Sequence, residues 1–149
     1  MSPGSSARCV MVNSRDKGAS FEREVRKRLE LELGLGFSRV LAQAREPDLP
    51  DLVCDDLSFP FVIECKRYRT GSTFASPGHW RQACVSAAKA GRLPALVYKF
   101  NRLPERWRIP FEPMLMLATG QRDSSYAWDS AVEMTFEDFC LVARELLSD

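Results

Sequence analysis

The 149-residue sequence has a single histidine, no Cys-x-x-Cys pair, and no apolar run approaching the roughly 20 residues that cross a bilayer. One histidine, His79, argues against a His-liganded metal centre and against a histidine general base. His79 itself is expected near a helix start, with contact to substrate as the lesser reading. The five cysteines (Cys9, Cys54, Cys65, Cys84, Cys140) are odd in number, which argues against a disulfide framework and a zinc ribbon alike. Reduced thiols in a cytoplasmic setting are expected, with the last four as core residues among apolar neighbours. "MSPGSSARCVMVN" lacks the apolar stretch of a secretory signal and reads as a disordered leader, residues 1–13, with an alternative start at Met11. No membrane partner is expected.

What is present is the composition of an ordinary globular protein, 45% hydrophobic and 28% charged. The charge is unevenly spread. Residues 1–108 hold 19 Lys/Arg against 12 Asp/Glu, whereas residues 109–149 hold 2 against 8. A basic body with an acidic end suits a surface that meets a polyanion on one side, and solvated faces that merely differ fit the charge about as well. The length suits one domain over residues 14–149, its last part, 110–149, being acidic.

Periodicity predicts a helix over Ala19–Leu33, stopped by Gly34 and Gly36. Phe21, Val25, Leu29 and Leu33 make its apolar stripe, and at about 100° per residue Glu22 falls inside that stripe, beside Leu29. Glu24 and Glu30 fall outside it. Glu32 projects onto it but lies in the last turn, within reach of water. After a loop with Pro47 and Pro50, "DLVCD" and "FPFVIECKRY" read as two strands joined by a turn near Asp56–Ser58. A helix is expected over Ser76–Gly91, with Trp80, Cys84, Ala87 and Ala88 inward. "LPALVYKF" follows as a strand, then one near Arg106–Ile109, another within Ala127–Met134, and a helix from Phe136 to Leu147. Thr135 with Asp138 forms the cap of that helix. The sum is an α/β fold with a central mixed β-sheet flanked by helices.

"FPFVIECKRY" turns apolar alternation into charge at its end. Glu64 and Lys66 point to one face, with Val62 and Tyr68, while Phe61, Ile63 and Cys65 fill the other. A simple ion pair accounts for most Glu-x-Lys strands. Here an aspartate precedes on the neighbouring strand, Asp48 or Asp51, and Glu22 lies on a core-facing helix stripe. Glu22, Asp51, Glu64 and Lys66 together supply carboxylates for a hard divalent cation and a positive group, the set that phosphodiester cleavage needs.

The order helix-Glu, Pro-Asp, Glu-x-Lys resembles the PD-(D/E)XK nuclease superfamily. "KGASFERE" (residues 17–24) and "WRQACVSAAKAGRLPALVYKFNR" resemble more narrowly the Holliday junction resolvases of archaea and their bacteriophage-borne relatives. The likeness covers about residues 13–109, the catalytic core being residues 14–109. It implies a restriction-endonuclease-like fold and a metal-dependent endonuclease of DNA, structure-selective and resolving Holliday junctions. It maps the catalytic set to Glu22, Asp51, Glu64 and Lys66, with Asp48 a decoy in the loop. Mg²⁺, with Mn²⁺ as substitute, would be held by Asp51, Glu64 and the Cys65 backbone carbonyl, completed by Glu22. No small-molecule cofactor is implied. Branched DNA is the implied partner, a homodimer the economical assembly for two cuts, and the host cytoplasm the setting if the gene is phage-borne. Phosphate contacts are expected from Lys17, Arg23, Arg26, Lys27, Arg67 and Arg69. Gln82 projects off its helix's apolar face, and Trp80 and Trp107 read as core. The competing readings are a phage or restriction-type nuclease on other branched or linear DNA, a non-catalytic DNA-binding module of the same fold, and an ion-pair scaffold without nucleic acid.

Overall fold

A computed structural model describes residues 3–41, 48–69, 74–121 and 128–148, with side chains from residue 17 onward. Pro47 and Ala127 lie outside the described residues. Among the described residues six strands form one sheet in chain order: β1 (Phe37–Arg39), β2 (Leu52–Cys54), β3 (Phe61–Arg67), β4 (Leu93–Lys99), β5 (Arg106–Pro110) and β6 (Ala131–Met134). β3 and β4 run parallel and every other neighbouring pair antiparallel, so the sheet is mixed. The parallel step needs a crossover, and helix α2 (Pro77–Ala90) supplies it. The remaining helices are α1 (Pro3–Leu33), α3 (Glu112–Thr119) and α4 (Phe136–Ser148).

The stripe expected of α1 is the one it buries: Phe21 is 5% exposed, Val25 and Leu29 0%. These residues join Phe61, Ile63, Cys65, Val97, Trp107 and Phe139 in the core between one sheet face and α1 and α4. On the opposite face α2 packs Trp80 and Ala83 onto Leu96, Tyr98 and Phe100. The helix begins earlier than the expected Ala19, because Pro3 fits a first helical position and no later proline interrupts the run. It stops where expected, at Gly34 (φ 68°), whose N–H caps the Glu30 carbonyl at 3.0 Å.

Two elements escaped the sequence reading. β1 spans three residues on the sheet edge, too short for alternation to register. Gly36 admits it against β2, since a Cβ there would meet Asp55 Oδ2 at 2.6 Å. α3 is an eight-residue helix with Pro113 in its first turn, barely two turns of pattern. The inward face of α2 is also shifted from expectation: Trp80 and Ala87 are buried with Ala83 and Ser86, Cys84 is half-buried and Ala88 exposed. The Thr135 cap is present, its Oγ1 accepting the Asp138 N–H at 3.1 Å.

Candidate active site

Alternation along β3 sends Cys65 into the α1/α4 core and Glu64 to the other face, with Lys66 half-buried beyond it. Leu52 pairs with Ile63 in the antiparallel β2–β3 ladder, and the same register sets Asp51 opposite Glu64. Asp51 is 7% exposed and firmly held. Its Oδ2 accepts the Cys65 backbone N–H at 2.7 Å, its own N–H donates to the Ile63 carbonyl at 3.0 Å, and its carbonyl accepts from Val40 at 2.9 Å. Asp48 is exposed, in the left-handed region at φ 69°. Burial thus separates the two aspartates, which the local Pro-Asp strings do not.

Glu64 is 2% exposed, and its Oε1 is buried without a hydrogen-bond partner. Burial, foremost, then the neighbouring Asp51 charge and a hydrogen bond to Asp51, push its carboxyl up to about 9. Lys66 opposes that shift. Two adjoining carboxyl groups with one orphaned oxygen form an all-oxygen donor pair, the chemistry that a hard divalent cation takes. Among the described residues, no three His, Cys, Asp or Glu side chains converge closely enough to hold a metal between them.

Glu22 is paired with a basic neighbour. Its Oε2 accepts from Arg39 Nη2 at 2.9 Å and from Nε at 3.1 Å. Burial raises the Glu22 carboxyl above its ordinary value, the Arg39 hydrogen bond lowers it, and Asp51 raises it again. Lys66 lowers it further, so the four expected side chains share one electrostatic neighbourhood. Arg39 was not found from sequence. It sits on the short edge strand β1, in register with Leu52 and thus beside Asp51. The only local signal was a basic residue in a strand too short to recognise.

The expected phosphate-contacting residues divide. Lys17, Arg23, Lys27 and Arg69 are exposed. Arg26 pairs with Glu30 at 3.2 Å, one turn along α1. Arg67 donates through Nη1 to the Tyr68 and Lys99 carbonyls, both at 3.0 Å, tying the ends of β3 and β4 together. Gln82 is exposed, and Trp80 and Trp107 are core. No helix among the described residues is long and apolar enough to cross a membrane.

No curated protein matches the chain in sequence. The structure of Hjc, a Holliday junction resolvase from the archaeal hyperthermophile Archaeoglobus fulgidus, superimposes with a TM-score of 0.53 at 18% identity, covering 85% of this chain and 98% of that one. At that identity the likeness is one of fold, a restriction-endonuclease-like sheet flanked by helices. The family model described as "Phage putative PDDEXK endonuclease" matches residues 13–145. The chain therefore belongs to the phage PDDEXK endonuclease family and is a nuclease of the PD-(D/E)XK type.

Proposed function

We propose that this nuclease is a metal-dependent, structure-selective DNA endonuclease that resolves four-way junctions by paired incisions. The observation that carries the metal dependence is the buried Asp51–Glu64 pair with its orphaned Glu64 Oε1. Such a pair is costly to keep charged without a cation, and Glu64 accordingly holds its proton in the metal-free protein. Asp51, Glu64 and the Cys65 carbonyl would hold Mg²⁺ or Mn²⁺, with Glu22 completing the set or helping to hold a second ion. When bound, such an ion supplies positive charge against the build-up on the phosphate oxygens.

The chain's own residues do the rest. Lys66, on the same face as Glu64, orients the attacking water and adds charge stabilisation at phosphorus. Arg39 holds Glu22 at the rim of the site. Lys17, Arg23, Lys27 and Arg69, all exposed, would contact flanking phosphates. Junction preference is supported by "KGASFERE" and by the fold shared with Hjc, a Holliday junction resolvase. Two symmetric cuts call for two copies of this site, hence a homodimer.

The deciding experiment offers a synthetic four-way junction and a matched linear duplex, each with Mg²⁺ or EDTA, to the wild type and Asp51→Asn. Paired nicks on the junction alone, lost with EDTA and in the variant, are the expected result. Cleavage of both substrates keeps the chemistry and moves the substrate to branched and linear DNA in general. Tight binding without cleavage in any metal overturns the catalytic assignment.

A further inference from the structure

Tyr68 follows Lys66 on the same face, about 7 Å further along the chain. Its backbone N–H continues the ladder to the Lys99 carbonyl at 2.8 Å. Its ring stacks on Phe100 (4.6 Å between centroids, 17° between planes) and meets Tyr98 edge-on at 6.1 Å. The hydroxyl of this clamped ring lies 2.5 Å from Nδ1 of His79, in the first turn of α2. The same hydroxyl accepts the Ser76 backbone N–H at 3.2 Å.

That network accommodates one tautomer well. The Tyr68 hydroxyl can donate to Nδ1 while it accepts the Ser76 N–H, an arrangement in which the neutral ring carries its own proton on Nε2. Burial and the nearby Lys66 charge both disfavour the imidazolium, and burial raises the Tyr68 hydroxyl, keeping it protonated. Among the described residues Nε2 has no protein partner, and it is not among the buried unpartnered atoms. In that arrangement the ring is an uncharged N–H donor, held by Tyr68 and near enough to Lys66 to feel its charge.

We propose that His79 binds substrate, its Nε2–H donating to a non-bridging oxygen of a DNA phosphate flanking the one that Lys66 faces, with Tyr68 as its positioning residue. This rests on the endonuclease reading above. No proton is transferred in the contact. A neutral, fixed donor differs in kind from the basic side chains of α1. Those supply salt-dependent attraction, whereas this contact sets the register of the strand in the site.

The test uses a fluorescently labelled four-way junction in EDTA, so that binding is read without cleavage, and a series of junctions with one phosphate near the cut replaced by neutral methylphosphonate. His79→Ala is expected to weaken binding about tenfold, the worth of one hydrogen bond to a charged group. The log–log salt slope should stay unchanged because no charge is lost. One methylphosphonate position should weaken the wild type yet leave His79→Ala no weaker than it already is. Tyr68→Phe, which keeps the ring stack, should lose less and couple to the same phosphate, and His79→Gln should recover part of the loss. Should His79→Ala fail to fold, these two variants carry the same test. A folded His79→Ala that binds like the wild type, or whose loss adds to that of every methylphosphonate, overturns the assignment to a docking contact for α2. A wild type that neither binds nor cuts any DNA overturns the endonuclease reading and this inference together, whereas a cutting wild type without the coupling overturns the inference alone.

Discussion

Glu64 is the residue whose protonation links the site to stability. Its folded-state value of about 9 lies above the ordinary 4.5, so the folded protein holds the proton that the unfolded chain releases. The stability this confers is full below about pH 4.5, falls steadily as pH rises above that, and is gone once pH has passed about 9. Glu64→Gln cannot ionise and lacks that loss. In EDTA its melting temperature should exceed that of the wild type by roughly 3–6 °C at pH 8, the gap shrinking towards acid. Divalent cation should raise the melting temperature of the wild type and not of the variant. Thermal scans across pH check both, and parallel curves would remove Glu64 from the proposed metal site. Lys66→Ala should lower the cleavage rate about 10²- to 10³-fold while leaving DNA affinity within a fewfold. Asp48→Asn, at an exposed loop position, should cleave like the wild type; an inactive variant would mean that the other aspartate carries the site.

At the scale of elements, α4 shows how a helix far from the candidate site supports it. Phe139 is fully buried, stacked on Trp107 at 4.3 Å and 18° and set 5.1 Å from Phe61 of the strand that carries Glu64. Phe139→Ala should cost about 3–5 kcal/mol, read from the urea midpoint. Thr135→Ala, which removes only the α4 cap, should cost about 1 kcal/mol. A Phe139→Ala cost no larger than that of the cap would mean the core re-collapses around the cavity. The long elements were legible because each carries its own period: four-residue spacing in α1, alternation in β3. β1 and α3 were not, since three strand residues and two helical turns hold too little pattern, and they form because neighbours cover them. The inward face of α2 shifted for a related reason. Its alanines are small enough to sit on either flank, and contact with Leu96 and Tyr98 decides which are covered.

On the scale of the whole molecule, the basic residues of the sequence divide their labour. Arg23 and Lys27 are exposed on α1, whereas Arg67 is spent on backbone carbonyls between two strands. Replacing Arg23 and Lys27 together by alanine should flatten the log–log salt dependence of DNA binding by about 1.8, two phosphate contacts' worth. Arg67→Ala should lower the melting temperature and leave that slope alone. An unchanged slope in the double variant would move the DNA surface off α1.

By itself the sequence determined the α/β alternation, the two faces of β3, the stop of α1 and the short roll of polar residues worth attention. Each of these follows from a local period or a local backbone constraint, read within a few neighbouring residues. Tertiary structure alone decided which of those polar residues meet. Asp51 takes the Cys65 N–H across 14 residues, Arg39 takes Glu22 across 17, and Tyr68 takes His79 across 11. Such meetings depend on sheet register and on where a helix lies over the sheet, and no period along the chain encodes either. They separate Asp51 from Asp48, bury Glu64 beside Asp51, and set the one histidine against the Tyr68 hydroxyl.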